Sequence, residues 1–150
     1  MGQVTVTAER RIDRPLEEVY AALADYRNVR PQVLTGHYRD YEVRDGGSGA
    51  GTRVHWILQP TRKRMRDCLI EVSEPEPGQL VERDVNSSLT TTWTVRPVGE
   101  NASWVRVQTT WQGAGGIAGF FERTFAPVGM RRIHTETLDN LATALGSPSP

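Results

Sequence analysis

Residues 79–112 read QLVERDVNSSLTTTWTVRPVGENASWVRVQTTWQ. Val81, Val85, Leu89, Trp93, Val95, Val105, Val107 and Trp111 alternate with polar neighbours, the two-residue period of strands with one buried face. Asn86-Ser87-Ser88 and Gly99-Glu100-Asn101 interrupt the pattern with turn-forming residues. Connections this short reverse the chain directly, so strands at about 79–86, 89–98 and 103–112 pair as consecutive antiparallel hairpins.

The same pattern extends upstream, with strands at about 37–44, 52–60 and 62–73 and a first strand over 3–12. Asp45 to Gly51 reads as a flexible glycine-rich connection, Pro60-Thr61 as a tight one and Glu74 to Gly78 as a proline turn. After the first strand, Asp13 is placed to cap a helix over about 15–24, with Pro15 in its first turn and Glu17 and Glu18 at its positive end. Asp25 would cap a second short helix before Pro31 and Gly36. Beyond Gly113–Gly116 helical spacing returns over 116–145, with Ile117, Phe120, Phe121, Met130, His134, Leu138, Leu141 and Leu145 on one stripe. Pro127 and Gly129 should bend or break this helix. The expected fold is α+β: a seven-stranded antiparallel sheet curled around a long C-terminal helix, with two short helices after strand 1. It forms one domain over 1–146, and 147–150 is a frayed tail.

This order of elements, with Ile12-Asp13-Arg14-Pro15-Leu16-Glu17-Glu18-Val19-Tyr20, Leu23-Ala24-Asp25-Tyr26 and Pro75-Glu76-Pro77-Gly78-Gln79-Leu80-Val81, resembles the START-like superfamily. That group is also called SRPBCC, or the polyketide cyclase/dehydrase and lipid-transport group, and its shape is the helix-grip fold. The resemblance runs from about Val4 to Leu145 and bears on fold more than on activity. It implies a cavity between sheet and helix, which relatives use for lipids, sterols, polyketides or other apolar molecules.

Composition narrows the remaining classes. Eighteen Lys plus Arg balance eighteen Asp plus Glu over 150 residues, so no global field attracts nucleic acid or an anionic membrane. Arg62-Lys63-Arg64-Met65-Arg66 is the local basic run, and it reads as a solvated strand end. One cysteine, Cys68, excludes an internal disulfide, and three scattered histidines argue against a metal site. No cofactor is implied. No apolar run is long enough to span a bilayer and no apolar signal core is seen, which places the protein in the cytoplasm.

Strand parity supplies a candidate cavity lining. The more apolar faces are Val54, Trp56 and Leu58; Cys68, Ile70 and Val72; Val81, Arg83 and Val85; Leu89, Thr91, Trp93 and Val95; and Val105, Val107, Thr109 and Trp111. On this register Arg83 faces Thr91 and Val81 faces Trp93. Arg83 is then either an inward anchor for a ligand anion or, after a one-residue shift, a solvated or internally paired side chain. His134 falls on the inner stripe of the last helix, as a ligand donor or proton relay, or as a core histidine bonded to the sheet. Trp56, Trp93 and Trp111 offer flat rings to an aromatic or steroid-like ligand, and Trp104 points outward. Phe121 and Met130 join the ligand-binding candidates, with Phe120 and Phe125 near the cavity mouth and Gly113–Gly119 as a gate. His37 and His55 read as surface residues. Tyr38 and Tyr41 fall on opposite faces of their strand, and Asp67 points outward.

The reading these residues favour is binding or transport of one hydrophobic small molecule. An aromatase/cyclase or dehydrase working in the same cavity is the alternative, with His134 and Arg83 as its candidate catalytic groups. A protein-interaction module acting through an apolar surface is the third.

Overall fold

The computed structural model describes residues 3–62, 64–112 and 127–146. Seven strands form one sheet: β1 (Gln3–Ile12), β2 (Tyr38–Asp45), β3 (Arg53–Thr61), β4 (Arg64–Ser73), β5 (Gln79–Asp84), β6 (Thr90–Val98) and β7 (Ala102–Gln112). They lie in the order β1-β7-β6-β5-β4-β3-β2, and every adjacent pair is antiparallel. Short loops make β2 to β7 a meander, and β1 closes against β7 over ten residue pairs, Gln3–Gln112 to Ile12–Ser103. Helices α1 (Leu16–Ala24) and α2 (Arg30–Val33) follow β1, and α3 (Pro127–Ala144) lies across the apolar face of the sheet.

The buried side of α3 carries Met130, Ile133, His134, Thr137, Leu138, Leu141 and Ala142, the i, i+3, i+4 stripe of an amphipathic helix. Polar contacts fix its seat. Asp139 pairs with Arg10 on β1, Asn140 Nδ2 donates to the Val33 carbonyl at 3.0 Å, and Arg14 Nε donates to the Leu145 carbonyl at 2.7 Å. The part of the expected last helix before Pro127, the glycines 113–119, Phe120, Phe121, Phe125 and the tail 147–150 lie outside the described residues. Among the described residues, no helix is long and apolar enough to cross a membrane.

Four local expectations change. Asp13 does not cap α1: Pro15 holds the N-cap position, and Asp13 Oδ1 accepts from Arg11. Asp25 caps the turn before α2, accepting from the Arg27 and Asn28 amides, and Val29 is the residue at the helix N-cap. The glycine-rich stretch 46–51 is pinned rather than loose. Tyr26 N donates to Gly47 O, Gly49 N to Ala24 O and Gly51 N to Val72 O, and Arg27 Nη2 donates to Gly46 O. Gly47, at φ +139°, takes a backbone conformation that favours glycine, and a Cβ there would stand 2.3 Å from Arg27 Nε, so the Arg27 side chain would have to move. Finally, Asp40 takes φ +53° where the β2–β3 register slips between Arg39 and Glu42. This bulge turns Tyr41 onto the same face as Tyr38, and both rings meet Trp56.

The parity of β5 is also reversed. Leu80 pairs with Trp93 and Glu82 with Thr91, so Leu80, Glu82 and Asp84 are buried while Val81, Arg83 and Val85 face outward. Apolarity favoured the wrong face because both inward acids are satisfied: Glu82 by Arg30 and Tyr26, remote in sequence, and Asp84 largely by its own turn. Asp84 accepts from the Leu69 and Asn86 amides and the Ser87 hydroxyl, so it organises the β5–β6 turn.

Candidate functional site

Arg30 opens α2, and its side chain is 1% exposed. Nε donates to the Leu23 carbonyl in the last turn of α1 at 2.8 Å, where a cation suits the negative end of the helix. Nη2 meets Glu82 Oε2 at 2.6 Å. The guanidinium carbon sits 4.5 Å from the Tyr26 ring centroid and 4.9 Å from that of Trp93, adding cation–π attraction on both rings. Glu82, from the centre of β5, also accepts from the Tyr26 hydroxyl at 2.5 Å and from Trp93 Nε1 at 3.2 Å. Burial opposes the charged guanidinium, but Glu82 together with Tyr26 and Tyr41 outweighs it, and Arg30 holds its proton more tightly than usual. Tyr41 Oη ties the cluster to β2 by donating to the Tyr26 carbonyl at 2.6 Å.

A second polar line crosses from α3 to the sheet. His134 Nε2 lies 2.6 Å from Thr109 Oγ1, which lies 2.8 Å from Thr91 Oγ1. Burial lowers the His134 pKa from 6.5 to about 4, so the imidazole is neutral at pH 7. A third group is aromatic. Tyr38 meets Trp56 edge-on at 5.3 Å, and Tyr41 stacks on it at 6.0 Å. Trp56 Nε1 is buried without a hydrogen-bond partner among the described residues. Cys68, its cross-strand neighbour, is buried, and burial pushes its thiol up, away from the reactive thiolate.

These groups enclose a cavity of about 20 Å³, room for about one water molecule. Its polar side is Arg30, Glu82, Tyr38, Thr91 and His134; its apolar side is Leu34, Trp56, Leu58, Ile70, Leu89, Trp93 and Met130. The sequence therefore located Trp56, Thr91, Trp93, Met130 and His134 on the lining. Thr109 stands behind His134 rather than on the wall, and Trp111 is buried on the same sheet face but outside the lining. Phe121 lies outside the described residues. Arg83 is not at the site: its side chain is 64% exposed on the opposite sheet face and pairs with Glu71. His55 is tucked against the outer face, with Nε2 2.9 Å from Asp67, and His37 Nδ1 lies 2.8 Å from Thr35 Oγ1. Among the described residues, no cluster of His, Cys, Asp or Glu could hold a metal ion.

Sequence reasoning missed Arg30, Glu82, Tyr26, Tyr38 and Tyr41. The available signal was Asp84 two residues before Asn86, the pattern of a side-chain-capped turn, which fixes the β5 register independently of apolarity.

None of the curated proteins matches the chain in sequence. Among solved structures, the KanY protein, determined by NMR, is 46% identical and covers 98% of this chain and 100% of its own, with a TM-score of 0.87. The Zhui aromatase/cyclase from Streptomyces sp. R1128 is 12% identical over 97% of this chain and 94% of its own, with a TM-score of 0.75. A START superfamily protein from Mycobacterium smegmatis is 14% identical over 96% and 94%, with a TM-score of 0.61. The last two share the fold. The family model described as polyketide cyclase/dehydrase and lipid transport matches residues 3–146, and the chain belongs to that family.

Proposed function

We propose that the protein binds one small hydrophobic molecule between the sheet and α3, as a carrier or receptor rather than as a catalyst of proton transfer. The observation that carries this reading is the lining itself, a wall of aromatic and aliphatic side chains broken by a few fixed polar groups. The cavity of about 20 Å³ is smaller than such a molecule, so a ligand enters by displacing side chains. Met130 and Leu34 stand on the wall, and the unbranched thioether of Met130 is the most easily rearranged.

Proton chemistry at neutral pH asks for a group whose pKa lies near 7. His134 is displaced to about 4 and Tyr38 is raised, by burial first and by the Glu82 charge second. His134 is also held by Thr109 in a bond that a core histidine would make. These features favour binding over the cyclase or dehydrase alternative. The test is titration with the uncharged dye N-phenyl-1-naphthylamine, whose emission rises in apolar surroundings. The expected result is saturable binding of one dye per chain, weakened in Trp93→Ala. Unsaturable binding, or none, contradicts the proposal.

A further inference from the structure

We infer that the cavity selects an uncharged ligand carrying a hydrogen-bonding oxygen, such as a phenol or a ketone, over a carboxylate or an ammonium of the same shape. The inference rests on the binding reading above and specifies its ligand class.

The ionic groups on the wall already cancel. Arg30 and Glu82 are the formally charged lining residues, they meet at 2.6 Å, and both are almost fully buried. Each already has the other as its counter-charge. The guanidinium also holds the Leu23 carbonyl and lies over the Tyr26 and Trp93 rings. The carboxylate also accepts from Tyr26 and Trp93. A ligand carboxylate brought beside Arg30 would meet Glu82 as a like charge, and a ligand ammonium beside Glu82 would meet Arg30. In either case one net charge enters a desolvated space without a partner. His134 supplies no compensating charge, since its imidazole is neutral at pH 7.

A polar handle remains for a neutral ligand. Tyr38 lines the cavity beside Trp56, and its hydroxyl makes no hydrogen bond among the described residues. It can donate to a ketone oxygen or accept from a phenol while the ligand ring packs on Trp56. The outer-face arginine offers no route for anions, since Arg83 lies across the sheet from the cavity.

The test compares naphthalene, 2-naphthol and 2-naphthoate by isothermal titration calorimetry at pH 7. These probes share one ring system and differ in one substituent. 2-Naphthol should bind tightest, about tenfold above naphthalene, and 2-naphthoate should be weaker than 2-naphthol by about a hundredfold or more. Tyr38→Phe should narrow the gap between 2-naphthol and naphthalene to about twofold or less. Glu82→Gln should shift preference toward 2-naphthoate by about tenfold or more, because it frees the Arg30 charge. If that variant does not fold, the wild-type ranking and Tyr38→Phe decide. Equal or tighter binding of 2-naphthoate by the wild type overturns the inference, as does an undiminished 2-naphthol preference in Tyr38→Phe. Binding of none of the three overturns the binding proposal itself.

Discussion

Replacing Arg30 with Met keeps most of the side-chain volume and removes the cation on which the interior polar cluster depends. The variant loses the 2.6 Å pair with Glu82, the 2.8 Å bond to the Leu23 carbonyl and the contacts with two aromatic rings. Glu82 is left as a carboxylate only 3% exposed, still bonded to Tyr26 and Trp93 but without a counter-charge. Breaking a buried pair from one side costs about 3–5 kcal/mol, so about 4 kcal/mol is expected. With a urea m-value of about 2 kcal/mol/M, the midpoint should fall by about 2 M. The melting temperature should fall by about 8–16 °C. The double variant Arg30→Met/Glu82→Gln removes both charges and leaves an amide oxygen for Tyr26 and Trp93. It should therefore regain about 2 kcal/mol relative to the sum of the single losses. Urea unfolding of the wild type, both single variants and the double variant completes the cycle. A single-variant cost below about 1 kcal/mol, or strict additivity, refutes the view that this pair is a coupled buried unit.

The remaining predictions concern acid stability, the outer face and one turn. His134 titrates at about 4 in the folded protein and near 6.5 unfolded, so unfolding takes up a proton in that window and stability falls as pH drops from 6.5 to 4. The His134 share of this loss is about 3 kcal/mol, and His134→Gln should flatten the profile by that amount in urea unfolding measured at pH 7 and pH 4. Arg83→Met should change ligand affinity by less than about twofold, because the side chain pairs with Glu71 in solvent; a larger loss in calorimetry would place Arg83 functionally at the cavity after all. Gly78, at φ +77°, has no space for a Cβ, which would stand 2.7 Å from the Val95 carbonyl oxygen. Gly78→Ala should cost at least about 2 kcal/mol by urea unfolding, and a neutral result would mean that the β4–β5 turn adjusts freely.

The strands and turns were legible because side-chain alternation and turn chemistry are local properties. Residues 79–112 carry both signals, and the meander follows from the shortness of their loops. His134 and Met130 were legible for a related reason: helical phase assigns a face without reference to any partner. The polar heart of the site was not legible, because its logic is long-range. Arg30 looks like an ordinary surface arginine next to a proline until Glu82, fifty-two positions later, is brought against it. Glu82 in turn sits on the face that apolarity rejects, between Val81 and Arg83. A strand register chosen by hydrophobicity fails wherever buried charges satisfy one another. Tyr41 was misplaced by a different cause, the bulge at Asp40, which no alternation rule anticipates.

The most direct measurement uses the tryptophan indole N–H signals in a nitrogen–proton NMR titration of the labelled protein with 2-naphthol. Trp56 and Trp93 line the cavity, whereas Trp104 is 39% exposed on the outer face and bonded to Glu9. The account predicts saturable shifts of the Trp56 and Trp93 signals at one ligand per chain, with the Trp104 signal unmoved. Shifts confined to Trp104, or no saturable shift at Trp56 and Trp93, would contradict the claim that the space between sheet and helix is the binding site.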